Sequence, residues 1–125
     1  MMKNTDNKLL QKALDFAQKI FENDFGGHDF FHTLRVYNMA MKIAQKEGAD
    51  LTIVGLSALL HDVDDRKLSP ATSKNKDNAV GFLTENGVDN GTIQLIVIYP
   101  LPFGICNFIN ITFAIYKFIW TGHLG

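Results

Sequence analysis

Apolar residues recur at three- and four-residue steps near the start of the chain. Leu10, Ala13, Leu14, Ala17, Ile20 and Phe21 fall on one face, with Lys12, Gln18 and Lys19 elsewhere. That spacing predicts an amphipathic helix, stopped near Gly26-Gly27, where glycine tolerates positive φ. A second helix is predicted from Asp29, as N-cap, to Glu47, with Phe31, Leu34, Ala40, Met41 and Ala44 toward the core and Gly48 at its C′ position. Asp50 caps a third helix. From Leu51 to Leu60 it is apolar almost all round, which predicts the central, most buried element. Asp62 to Ser73 is polar, contains Pro70 and reads as a loop or a strained helix end. A fourth amphipathic helix is expected over Lys74 to Asn86, with Ala79, Phe82 and Leu83 inward and Gly87 after it, and Asp89 can cap a fifth.

The pattern then changes. No charged residue occurs between Asn90 and Tyr116, and Pro100 and Pro102 break any helix begun at Thr92. Two parts are therefore expected: a helical domain over residues 1–92 and an atypical apolar tail over 93–125. Three readings of the tail compete. A transmembrane helix needs about 20 apolar residues, whereas Ile105 to Trp120 is shorter and interrupted by Asn107, Asn110 and Lys117. A buried helix or strand would ordinarily carry a polar face. The third reading, slightly favoured, is that the tail is foreign to the domain. Ile, Phe, Asn, Tyr and Lys are the residues of AT-rich codons, so a shifted reading frame in AT-rich DNA gives this mixture. Some of Phe103, Phe108, Phe113, Phe118 and Trp120 are then expected to stay exposed, favouring self-association or recruitment to a membrane.

Charge and composition narrow the function. The 125 residues suffice for one modest core, and a net charge of −1 gives no broad attraction to nucleic acid or anionic membranes. Phosphate recognition, if present, must be local. The single cysteine, Cys106, rules out an intramolecular disulfide and a thiolate metal cluster and fits a cytoplasmic setting. No secretory signal opens the chain.

The histidines and acids gather in two places. His28, Asp29 and His32 stand at the start of the second helix, and His61, Asp62, Asp64 and Asp65 at the end of the third; only His123 lies outside them among the histidines. His61-Asp62 follows the apolar pair Leu59-Leu60, where buried polar groups must be paired or coordinate something. The helix C-terminus there favours a cation. Imidazole nitrogens and a carboxylate oxygen form a mixed site that suits Mn, Fe, Co, Ni or Zn better than Mg or Ca. The alternative is that His32 and His61 are hydrogen-bonded core histidines and Asp62 caps the following loop.

Gly27-His28-Asp29-Phe30-Phe31-His32-Thr33-Leu34-Arg35-Val36 resembles the GHDxxHxxRV opening of the HD-domain phosphohydrolases, and Leu59-Leu60-His61-Asp62 resembles their LLHD signature. The likeness covers about residues 5–92. It implies an all-α, HD-domain helical bundle, incomplete at the C-terminus, holding one or two divalent metals and hydrolysing a small phosphorylated metabolite or nucleotide. By position, His32, His61 and Asp62 match the family's first three metal ligands. His28 could face the phosphate or leaving group and reads equally well as a surface residue of the cap region; Asp65 could assist the water and Lys67 could meet a phosphate, but for both a solvated loop is the favoured reading. Arg35, one turn from His32, is expected to orient a ligand carboxylate. The family's fourth ligand is an aspartate farther downstream, and after Asp89 this sequence has no Asp or Glu. A weakened or inactive metal site is the consequence. The competing functions are an inactive fragment of such a domain and a membrane-tethered binding protein anchored through 93–125.

Overall fold

The structure, a computed structural model, describes residues 4–22 and 28–98. It is all-α: α1 (Asn4–Phe21), α2 (His28–Glu47), α3 (Leu51–Leu60), α4 (Asp77–Glu85) and α5 (Asn90–Ile98), with no strand among the described residues.

α3 is the axis of the bundle. It packs most extensively against α2, then against α1 and α5, while α4 lies against α5. All seven residues from Val54 to Leu60 are buried, as a helix apolar on every side must be. Gly55 lets the neighbours close in. A Cβ at that position would come within 2.7 Å of Leu10 Cδ2 and 3.3 Å of Tyr37 Cε1, so α1 and α2 pack on α3 where it has no side chain. Leu10, Ala13, Ala17 and Phe21 of α1 join Leu56, Leu59 and Leu60 of α3, Phe82 and Leu83 of α4, and Ile93 and Ile96 of α5 in the main core. Phe16 and Phe82 stack across it with ring centroids 4.8 Å apart. Val36, Ala40 and Ala44 of α2 meet Val54 and Ala58 in a second, smaller cluster.

Helix ends follow the local chemistry. Asp50 Oδ1 accepts the N–H groups of Thr52 and Ile53 at 3.0 and 3.1 Å, as the expected N-cap of α3. α4 closes in a Schellman motif: Gly87, at φ 77, donates to Thr84 O, and Val88 donates to Leu83 O. Asp89 caps α5 through the Thr92 N–H and hydroxyl at 3.0 and 2.7 Å.

Three expectations need correction. Phe31 is 60% exposed rather than in the core. The buried stripe of α2 is Thr33, Val36, Ala40 and Ala44, and at about 100° per residue Phe31 falls on the opposite side. α2 begins at His28, so Asp29 lies inside its first turn rather than at the cap. α4 begins at Asp77 rather than Lys74, because Lys76 adopts φ 55, ψ 46 and breaks the helical run before it. α5 runs through residues 93–98, and Ile93 and Ile96 are buried in the main core. The expectations for Gly26-Gly27, Pro100, Pro102 and the aromatic residues from Phe103 onward lie outside the described residues. Among the described residues no helix is long and apolar enough to cross a membrane.

Candidate metal centre

Antiparallel packing of α2 on α3 brings the start of one helix to the end of the other. His32, in the second turn of α2, thereby meets His61-Asp62, the first residues past α3. The His32 and His61 rings lie edge to face, centroids 5.7 Å apart and planes at 72°. One donor atom from each of His32, His61 and Asp62 lies within 4.8 Å of the other two. Ligands at about 2.0–2.2 Å from a shared transition metal stand about 3–4.4 Å apart, so modest side-chain adjustment closes the group on one ion.

His61 is oriented for this. Its Nδ1 lies 2.6 Å from the carbonyl of Ala58, so Nδ1 carries the hydrogen and Nε2 faces the site, as a second-sphere carbonyl commonly arranges for a ligating histidine. Nε2 is 3.0 Å from Asp62 Oδ2, with the His61 side chain nearly buried and Asp62 about one third exposed. That spacing favours a proton on Nε2 shared toward the carboxylate. Burial opposes charge on His61, but the Asp62 hydrogen bond and charge, the Ala58 carbonyl and the charge of Asp65 outweigh it and raise its pKa. Burial likewise pushes the Asp62 carboxyl up, and the hydrogen bond and charge of His61, with the charges of His32 and Lys76, bring it below its ordinary value. A carboxylate and two imidazoles form a fitting donor set for a divalent cation.

The other sequence candidates fall around this group. Asp65 is exposed; its Oδ2 accepts the Lys67 N–H at 2.9 Å, and its charge reaches His61. Lys67 and Arg35 are exposed. His28 opens α2 one turn before His32, and its side chain lies outside the described part of the molecule. No fourth His, Cys, Asp or Glu joins the three among the described residues.

Two supporting residues escaped the sequence reading. Asp64 is 4% exposed, and its two oxygens accept the N–H groups of Asn78 and Ala79, each at 2.9 Å. It thus caps α4 from across the loop. The Asn78 amide donates to Val63 O at 2.9 Å and lies 3.4 and 3.3 Å from the hydroxyls of Ser69 and Thr72. Together they fix the segment that carries Asp62. No local sequence signal marks this: the N–H groups at the start of α4 need acceptors, and the one they find lies 14 and 15 residues earlier in the chain.

A family model described as "HD domain" matches residues 29–91. The Bacillus subtilis (strain 168) protein described as "Uncharacterized protein YpgQ" is 41% identical over 61 residues, covering 49% of this chain and 30% of the relative. The chain thus spans about a third of that relative's length. No solved structure matches.

Proposed function

This chain belongs to the HD-domain family, and from that membership together with the convergence of His32, His61 and Asp62 we propose that it is a metal-dependent phosphohydrolase acting on a small phosphorylated metabolite or nucleotide. The observation that carries the reading is the geometry of the three donors: two imidazoles and a carboxylate, from two helices, within 4.8 Å of one another. His32, His61 and Asp62 would hold the ion, and mixed N/O donors favour Mn, Fe, Co, Ni or Zn over Mg. When bound, such an ion supplies Lewis acidity toward a phosphoryl oxygen and toward water.

The chain's own residues supply orientation. The Ala58 carbonyl fixes the His61 tautomer, and the Asp64–Asn78 ties hold the Asp62 loop. Asp65, exposed and acting on His61 through its charge, would take a proton from water entering the site. Lys67, exposed two residues after Asp65, would offer a cation to a phosphate, and His28 is kept as a candidate by its motif position alone.

Three donors bind more weakly than four, and with three among the described residues slow turnover is expected. The test is hydrolysis of an aryl phosphate and of nucleotides with added Mn, Co, Ni or Mg. The expected result is slow turnover that requires added metal and falls to background in His61→Ala. Turnover without metal, or turnover that survives His61→Ala, contradicts the proposal. A membrane-tethered binding role rests on residues 93–125, of which 99–125 lie outside the described part, and nothing in the described helices favours it.

A further inference from the structure

One stripe of α2 faces away from the bundle. Phe31, Arg35, Asn38, Met39, Lys42 and Lys46 are all exposed. Phe31, at 60%, and Met39, at 42%, are the exposed large hydrophobic residues among the described ones. At about 100° per residue the six fall within an arc of about 100°, opposite the buried stripe of Thr33, Val36, Ala40 and Ala44. The charge on this arc is of one sign. It carries three cations and no acid, and the two acids of α2, Asp29 and Glu47, fall about 80° beyond its edge. Arg35, Lys42 and Lys46 make no ion pair among the described residues.

The apolar and cationic groups are interleaved in helical register. Phe31, Arg35 and Met39 make one ridge at four-residue steps, and Asn38, Lys42 and Lys46 make the next. Between two such ridges runs a groove that takes a ridge of another helix. Phe31 is braced as an anchor: its ring lies tilted against Phe30, centroids 6.5 Å apart, and Phe30 packs on the main core. An anchor held before binding loses less freedom on binding. Phe31 and Met39 stand about 12 Å apart along the axis, a spacing that one crossing helix covers. Two apolar side chains with a guanidinium between them are too few to seat α2 in lipid, where binding scales with the apolar area buried. Carboxylates beside a partner's apolar residues would meet the three cations, whereas a basic partner would be repelled.

We propose that this outer face of α2 is a docking surface for an acidic amphipathic helix of a partner protein, with Phe31 and Met39 as apolar anchors and Arg35, Lys42 and Lys46 as its charge selectors. The surface is separate from the metal-candidate residues, and the inference stands whether or not they hold an ion.

The test uses the whole chain and a synthetic helical peptide with leucines at four-residue steps flanked by glutamates. Fluorescence anisotropy of the labelled peptide gives the affinity, and amide chemical shifts of the isotope-labelled chain give the location. The expected result is saturable binding that weakens as salt rises, with shifts centred on residues 31–46. Binding is expected to be about tenfold or more weaker in Lys42→Glu and in Phe31→Ser, while both variants melt near the wild-type temperature. A peptide with lysine in place of glutamate is expected not to bind. No binding of the glutamate peptide, equal binding of the lysine peptide, or shifts centred elsewhere overturns the inference. So does tighter binding of phosphatidylserine vesicles or of an oligonucleotide that Lys42→Glu abolishes, because the occupant is then a membrane or a nucleic acid. Concentration-dependent association of the free chain that Phe31→Ser abolishes overturns it by seating a second copy on the face. Contacts between Phe31 and residues 99–125 in the free chain overturn it by showing that the chain covers the face itself.

Discussion

His61 Nε2 lies 3.0 Å from Asp62 Oδ2, so two consecutive residues turn their side chains to one point. α3 ends at Leu60, which frees the backbone to do this, and the Ala58 carbonyl holds the far side of the ring. The same arrangement suits either a proton between the two side chains or a divalent cation.

That exchange sets a pH dependence. His61 has a raised folded pKa, so its contribution to stability is full below the unfolded value of about 6.5 and is lost as pH rises through the folded value. Asp62 has a lowered folded pKa, so its contribution is full above about 3.9 and is lost as pH falls through the folded value. The metal-free protein should therefore gain from this pair most fully between about pH 4 and 6.5. Metal must displace the His61 proton, so apparent affinity should rise with pH through the folded His61 pKa. Calorimetry in two buffers of different ionisation enthalpy reads the released proton directly; no buffer dependence at pH 6 would contradict the exchange.

Asp64 should matter more for stability than its neighbour. Asp64→Ala removes both capping bonds at the start of α4 and is expected to cost about 2–3 kcal/mol. Asp65→Ala removes one exposed bond to Lys67 N and is expected to cost about 0.5 kcal/mol or less. Urea unfolding of the two variants checks the order. Equal effects would mean that the Asp64 cap does not hold α4.

Phe31 and Leu59 make a second contrast. Phe31→Ser touches an exposed ring and should change stability by about 0.5 kcal/mol or less. Leu59 is fully buried, and Leu59→Ala should cost about 2–5 kcal/mol. A large loss from Phe31→Ser, read by the same unfolding measurement, would show that something covers that ring.

The sequence made the helices legible because their signals are local. Asp50, Gly48 and Gly87 mark ends by chemistry that acts within four residues, and the apolar run Leu51 to Leu60 announces burial without any partner being known. His32, His61 and Asp62 were legible through their place in two motifs. Phe31 was misread because apolar identity was taken for inward direction, while the small residues Thr33, Ala40 and Ala44 set the true face. The roles of Asp64 and Asn78 were illegible for a different reason. Their roles depend on contacts across 14 and 15 residues of loop, and no periodicity records those.

The central claim is that His32, His61 and Asp62 form one metal site, and titration of the metal-depleted protein with Co²⁺ tests it most directly. The visible absorption of bound Co²⁺ reports nitrogen and oxygen coordination, and calorimetry gives the affinity and stoichiometry. The expected result is saturable binding that falls by about tenfold or more in each of His32→Ala, His61→Ala and Asp62→Asn, with the Asp65→Asn variant close to wild type. Co²⁺ binding of equal strength in all four variants would contradict the account.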